Sequence, residues 1–167
     1  VQADATHLAG LPTGDVRSMI LDPPFMHAQG KDSAMKRYTS YPSQKALRDL
    51  YHRIIWEAAR VLADKGVLIF KCQDIVESGK QVMNHVYVHE VATRIGFEVL
   101  DLFILVAHSR MTGYNHHHQV HARKFHSFFW VFRKNARKYS LAGMYRPREV
   151  TDVAGKTWTQ LSLPREE

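Results

Sequence analysis

Apolar positions along the chain fall into runs whose spacing alternates between two patterns. Met19-Ile20-Leu21 is a short continuous apolar run stopped by two prolines, and it reads as a buried strand. Leu47, Leu50, Ile54, Ile55, Ala58, Val61 and Leu62 then recur at helical spacing, with Ser43 placed to cap the amino end. Gly66 follows closely, and residues 67–70 are again continuously apolar, as in a strand buried on both faces. The pattern predicts a second helix over about residues 81–95, closed by Gly96 as a C-terminal cap. Residues 97–107 and 125–133 are long β-branched and aromatic runs and predict two further strands.

Two stretches between these runs lose periodicity. Residues 26–42 hold Gly30, Lys31, Lys36, Arg37, Tyr38 and Tyr41, a basic and aromatic loop. The segment between the last two strands holds Arg110, Gly113, His116, His117, His118, His121 and Arg123, and its length marks it as a functional loop. Beyond Asn135 the signal weakens. Residues 135–167 are expected to extend the same domain as short strands and turns, packed on the sheet or reaching toward a partner. The chain shows no repeats and no low-complexity linker, and the order strand, helix, strand, helix, strand, strand is that of an α/β fold.

Composition narrows the partners. A chain of 167 residues fits one domain with a sizeable core. Its formal charge of +7 and pI near 9.6 suit a polyanion. The single Cys72 excludes an intrachain disulfide and fits a reducing compartment, so a cytoplasmic location is expected. No apolar run approaches the ~20 residues of a membrane span, and no signal peptide is visible, so no membrane partner is expected.

The sharpest chemical signal is Asp22-Pro23-Pro24-Phe25, directly after the first predicted strand. In open α/β sheets, ligands bind beyond the carboxyl ends of the strands. Two prolines stiffen the turn and leave carbonyls free to accept. A carboxylate beside such carbonyls, with Phe25 as a flat apolar face, suits a planar ring bearing an exocyclic amino group. An ordinary Pro-rich turn is the plain alternative. Lys71, Gln73 and Asp74 fall on the same rim, at the end of another strand, where Lys71 can meet phosphate or substrate or simply be neutralised by Asp74. Cys72, alternating with them, reads as a small buried hydrophobe.

Asp22-Pro23-Pro24-Phe25 resembles the catalytic turn of S-adenosylmethionine-dependent amino-methyltransferases of nucleic acids, Asp/Asn/Ser-Pro-Pro-aromatic. Gln2-Ala3-Asp4-Ala5, Leu11-Pro12 and Asp15-Val16 look like the family's lead-in. Gly66-Val67-Leu68-Ile69-Phe70-Lys71, Gly96-Phe97-Glu98-Val99 and the segment from Lys124 to Lys134 resemble its next three strands in order. The resemblance covers residues 1–134. It implies a Rossmann-like class I methyltransferase sheet, mostly parallel with an antiparallel hairpin at one edge.

It also implies direct methyl transfer from S-adenosylmethionine to a base amine, most simply N6 of adenine in DNA. Asp22 and the Pro23 carbonyl would accept the amine's N–H bonds, Pro24 would complete the stiff turn, and Phe25 would stack on a flipped base. Asp4 would contact the cofactor's adenine amino group, with Asp22 and Lys71 on the cofactor's side of the rim. Lys31, Lys36, Arg37, Tyr38, Arg110, His117, Arg123 and Lys124 are the expected nucleic-acid contacts. The three consecutive histidines alternate in direction and lack supporting Cys or carboxylate ligands, so no metal site is expected. One departure from the family is plain: no Gly-x-Gly occurs anywhere in the chain. An RNA amino-methyltransferase and a non-catalytic nucleic-acid-binding module of the same fold are the alternatives.

Overall fold

The computed structural model describes residues 3–25, 41, 43–108, 124–137, 147–151 and 157–161, the last two segments as backbone strands. The first strand, β1 (Val16–Leu21), leads to helix α1 (Gln44–Val61), and α1 runs straight into β2 (Leu62–Cys72). A small hairpin of β3 (Ile75–Glu77) and β4 (Lys80–Val82) precedes helix α2 (Asn84–Ile95). Then come β5 (Phe97–Val106), β6 (His126–Lys134) and a separate antiparallel pair, β7 (Pro147–Thr151) with β8 (Thr157–Leu161).

Local chemistry explains the helix ends. The Ser43 hydroxyl accepts from the Ala46 backbone N–H at 3.2 Å, as the sequence predicts. Gly96 closes α2 with φ +115°, the left-handed conformation that a glycine adopts without penalty. The β3–β4 hairpin, which apolar periodicity does not reveal, turns on Ser78 and Gly79, both at positive φ, and pushes the start of α2 from about residue 81 to Asn84.

The main sheet has the order β1-β2-β6-β5. β1 pairs parallel to β2, whereas β6 pairs antiparallel to both β2 and β5. Three of the four strands therefore run the same way. The expected mostly parallel sheet holds for strand direction, but only one of its three ladders is parallel, because the reversed strand β6 lies between β2 and β5. Helices α1 and α2 cover one face. Leu47, Tyr51 and Ile55 of α1 and Val88, Ala92 and Ile95 of α2 join Leu68, Phe70, Phe128 and Phe132 in one core. Side chains of the opposite pleat are far more open, with Ile20 73% and Phe103 58% exposed.

Two constraints fix β1 against the rest. A Cβ on Gly66 would lie 2.9 Å from the Ala63 carbonyl and 3.2 Å from that of Arg17, so only glycine permits this approach of β2 to β1. The segment before β1 is also stitched to α1. Glu57 accepts from the Leu8 N–H at 2.7 Å and from Arg60 in a two-point pair, and Arg60 also donates to the Leu8 and Leu11 carbonyls. The Arg60 guanidinium, aided by the Leu8 N–H, holds the Glu57 carboxyl below its ordinary value.

Gly66→Ala should lower stability by about 1–3 kcal/mol through this overpacking, read from the urea midpoint. Glu57 contributes stability that is present above its unfolded pKa of 4.5 and lost as pH falls through its lower folded value. Glu57→Gln should therefore cost most at neutral pH, and the gap to the parent should close in acid unfolding titrations.

Candidate functional site

The parallel ladder sets the site. Leu21 lies opposite Phe70, so the next residues, Asp22 and Lys71, emerge side by side at the carboxyl rim, and Lys71 in turn lies opposite Phe129 on β6. The Lys71 ammonium is 2.7 Å from the Asp22 carboxylate and 5.9 Å from the ring centroids of both Phe25 and Phe129. Lys71 keeps 24% and Asp22 56% of side-chain exposure, so the pair faces outward from a half-buried base. The partner of Lys71 is thus Asp22 and not Asp74, the neutralising residue suggested by sequence proximity.

The turn itself is anchored from below. The Tyr51 hydroxyl, on the buried face of α1, donates to the Pro24 carbonyl at 2.8 Å. Its ring packs edge-on against Phe70 at 5.3 Å, and burial pushes its pKa up, so it stays a donor. Pro23 is buried, and among the described residues nothing donates to its carbonyl. Among the described residues, the site therefore offers one carboxylate, a Pro23 carbonyl on a fixed turn, one ammonium and two aromatic rings. Sequence reading misses Tyr51. The available signal is a tyrosine at helical spacing from Leu47 and Ala58 on an apolar face, where a hydroxyl requires a partner.

A second polar cluster braces the rim. Asp74 accepts from the His85 N–H at 3.1 Å and lies 2.8 Å from its Nδ1, capping the first turn of α2. The His85 ring stacks on Phe128 at 4.1 Å, and His126 meets the edge of Phe128 at 4.9 Å. Gln73 donates to the His126 carbonyl, Asn84 to the Gln73 carbonyl, and Gln44 to Asn84. These bonds tie the amino ends of both helices to the ends of β2 and β6. Cys72 is fully buried and its thiol is pushed up by desolvation, which makes it a packing residue.

Asp4 lies in an exposed turn where its carboxylate accepts from both the Thr6 N–H and hydroxyl at 2.8 Å. Those bonds lower its pKa. Thr6 also accepts from Arg53 of α1, at 3.0 Å. Lys124 is half-buried just before β6. Lys31, Lys36, Arg37, Tyr38, Arg110, His117 and Arg123 lie outside the described residues, as do His116, His118 and His121.

An adenosyl cofactor needs a close backbone approach, normally supplied by glycine. Gly66 is packed against this chain's own backbone, Gly79 belongs to the small hairpin, and Gly14 opens at the amino end of β1, opposite Asp22. Among the described residues, no two glycines are spaced Gly-x-Gly to give such an approach.

Tyr51→Phe keeps the packing on Phe70 and removes only the bond to the turn. It should cost about 0.5–1.5 kcal/mol of stability in urea unfolding and loosen Asp22 and Phe25 together.

No family model matches the chain, and no curated protein does. Solved structures do. Protein TTHA0409 from Thermus thermophilus, named as a DNA modification methylase and solved with S-adenosyl-L-methionine, superposes with a TM-score of 0.54 at 21% identity, over 79% of this chain and 53% of its own. PvuII DNA methyltransferase, cytosine-N4-specific, superposes with a TM-score of 0.55 at 14% identity, over 80% of this chain and 48% of its own. The chain spans about half the length of these structures. Its mixed sheet, with Asp22-Pro23-Pro24-Phe25 at the carboxyl rim, is the α/β fold of the DNA methyltransferases over that half.

Proposed function

We propose that this chain is the base-binding part of an S-adenosylmethionine-dependent DNA methyltransferase that modifies an exocyclic amino group. The observation that carries the reading is the anchored turn, with the Asp22 carboxylate and the Pro23 carbonyl, which no described residue engages, on one stiff segment beside Phe25. The fold shared with DNA modification methylases supports it.

When bound, S-adenosylmethionine supplies a methyl group on a sulfonium sulfur. The work of this chain is on the acceptor. The lone pair of an aromatic amine is delocalised into its ring, and the nitrogen gains positive charge as it is alkylated. Asp22 and the Pro23 carbonyl accept its two N–H bonds, draw the nitrogen toward tetrahedral geometry and stabilise that charge where it develops. Tyr51 makes this possible by engaging the Pro24 carbonyl, which fixes the peptide planes before the base arrives. Phe25 supplies a stacking face worth ~1–3 kcal/mol, which offsets part of the cost of flipping the base. The net charge of +7 favours the polyanion as a whole.

An acid at the first position of the turn favours N6 of adenine by family habit. The fold shared with the cytosine-N4-specific PvuII enzyme favours N4 of cytosine as the second reading. In the same reading, Asp4 and Lys71 approach the cofactor from this side of the rim.

The test is transfer of labelled methyl from S-adenosylmethionine to duplex DNA, with Asp22→Ala alongside and the labelled nucleoside identified by chromatography. Label on N6-methyladenine that falls at least about 10²-fold in the variant is the expected result. Label on N4-methylcytosine selects the second reading. Label unaffected by Asp22→Ala overturns the assignment of the turn.

A further inference from the structure

The close pair of Asp22 and Lys71 is unusual for a site whose task is to accept hydrogen bonds, because a cation sits against the acceptor. As an exposed ion pair it contributes little to folding. Its position on the rim, rather than its stability, asks for an explanation. The carboxylate is an acceptor only and the ammonium a donor only. Side by side at 2.7 Å, beside the Phe25 and Phe129 rings, they form an acceptor–donor edge next to an aromatic surface.

Adenine and cytosine each present the complement of such an edge. Their exocyclic amine is a donor, and the adjacent ring nitrogen is an acceptor with a lone pair in the ring plane. Thymine and guanine present a carbonyl beside a ring N–H at the same place, which would set acceptor against acceptor and donor against donor. We propose that Lys71 is a specificity-determining residue that donates to this ring nitrogen while Asp22 accepts from the amine. The proposal rests on the acceptor-site reading above and deepens it.

Two consequences follow from the chemistry. First, the ring nitrogen's lone pair is not delocalised, so it is the better nucleophile of the two, and a donor placed on it keeps it out of the reaction. Second, the Asp22–Lys71 pair is neutral overall, so it reads the edge without adding net charge beside an amine that becomes positive. A flipped base is read along its Watson–Crick edge by groups of this kind. A base without that ring nitrogen leaves one Lys71 N–H without its acceptor while the ion pair to Asp22 stays, and that loss is the source of discrimination.

The experiment compares binding of two short single-stranded oligodeoxynucleotides by fluorescence anisotropy. One is oligodeoxyadenylate, and in the other 1-deazaadenine keeps the amine but replaces the ring nitrogen with C–H. The parent protein should bind the adenine strand about 10-fold or more tightly, the loss expected for a hydrogen bond to a charged group. Lys71→Met should bind both strands alike, and Lys71→Arg, which keeps a donor, should restore the preference. Circular dichroism of Lys71→Met identifies a folding loss, in which case Lys71→Arg against the parent carries the comparison.

No preference in the parent, or a preference unchanged in Lys71→Met or lost in folded Lys71→Arg, overturns the proposal. Asp22→Ala separates it from the underlying reading. Weaker binding of both strands in Asp22→Ala, with the preference surviving in Lys71→Met, removes Lys71 alone. Unchanged binding of both strands in Asp22→Ala removes the acceptor site itself.

Discussion

Everything chemical about this molecule depends on the parallel ladder between β1 and β2. Parallel strands have no short connection, so their register comes from packing rather than from a turn. Here Gly66 lets β2 close on the Arg17 carbonyl, and the Glu57–Arg60 pair holds the preceding segment to α1. With Leu21 fixed opposite Phe70, Asp22 and Lys71 have no choice but to meet. A slip of one residue would turn Phe70 out of the core and carry Lys71 to the helix-covered face. The same core burial that stabilises the sheet therefore specifies the spacing of the charged pair.

Rigidity is supplied at two places on the rim by different means. Under the Asp22 turn it comes from Tyr51, whose ring belongs to the core and whose hydroxyl belongs to the site. Across β2 and β6 it comes from buried polar groups bonded in series: Gln44 to Asn84, Asn84 to the Gln73 carbonyl, Gln73 to the His126 carbonyl, and Asp74 with His85. Buried polar side chains are costly when unpaired, so such a chain of bonds resists opening at any single link. The site thus stands on strand and helix ends already immobilised for structural reasons.

How much of this was legible in the sequence follows the distance over which each signal acts. The Ser43 cap, the Gly96 cap, the periodicity of α1 and the aromatic runs of β5 and β6 are local, and each is found close to its expected place. The turn at Asp22-Pro23-Pro24-Phe25 was legible for the same reason. The placement of β6 between β2 and β5, the partner of Lys71 and the bond from Tyr51 to Pro24 depend on residues far apart in the chain. Proximity along the chain pairs Asp74 with Lys71, yet alternation along the strand end sends Asp74 to the helix side, where His85 takes it. Tyr51 hid among aliphatic neighbours because an apolar stripe counts its ring and ignores its hydroxyl.

The division of labour at the rim bears on which base is chosen. Aromatic faces hold any base, because every base has a π surface. On the proposed reading, the amine acceptors choose a base that carries an amino group. An acceptor–donor edge made by Asp22 and Lys71 goes one step further and demands a ring nitrogen beside that amine. Adenine and cytosine meet both hydrogen-bonding demands equally, so this edge by itself does not separate them. What differs is the distance from the sugar to the amine, longer across a purine than across a pyrimidine. On this argument, discrimination between the two bases resides in the groups that hold the backbone at the mouth of the site. On the proposed reading, the Asp22 turn then carries amino-group chemistry without by itself fixing the base.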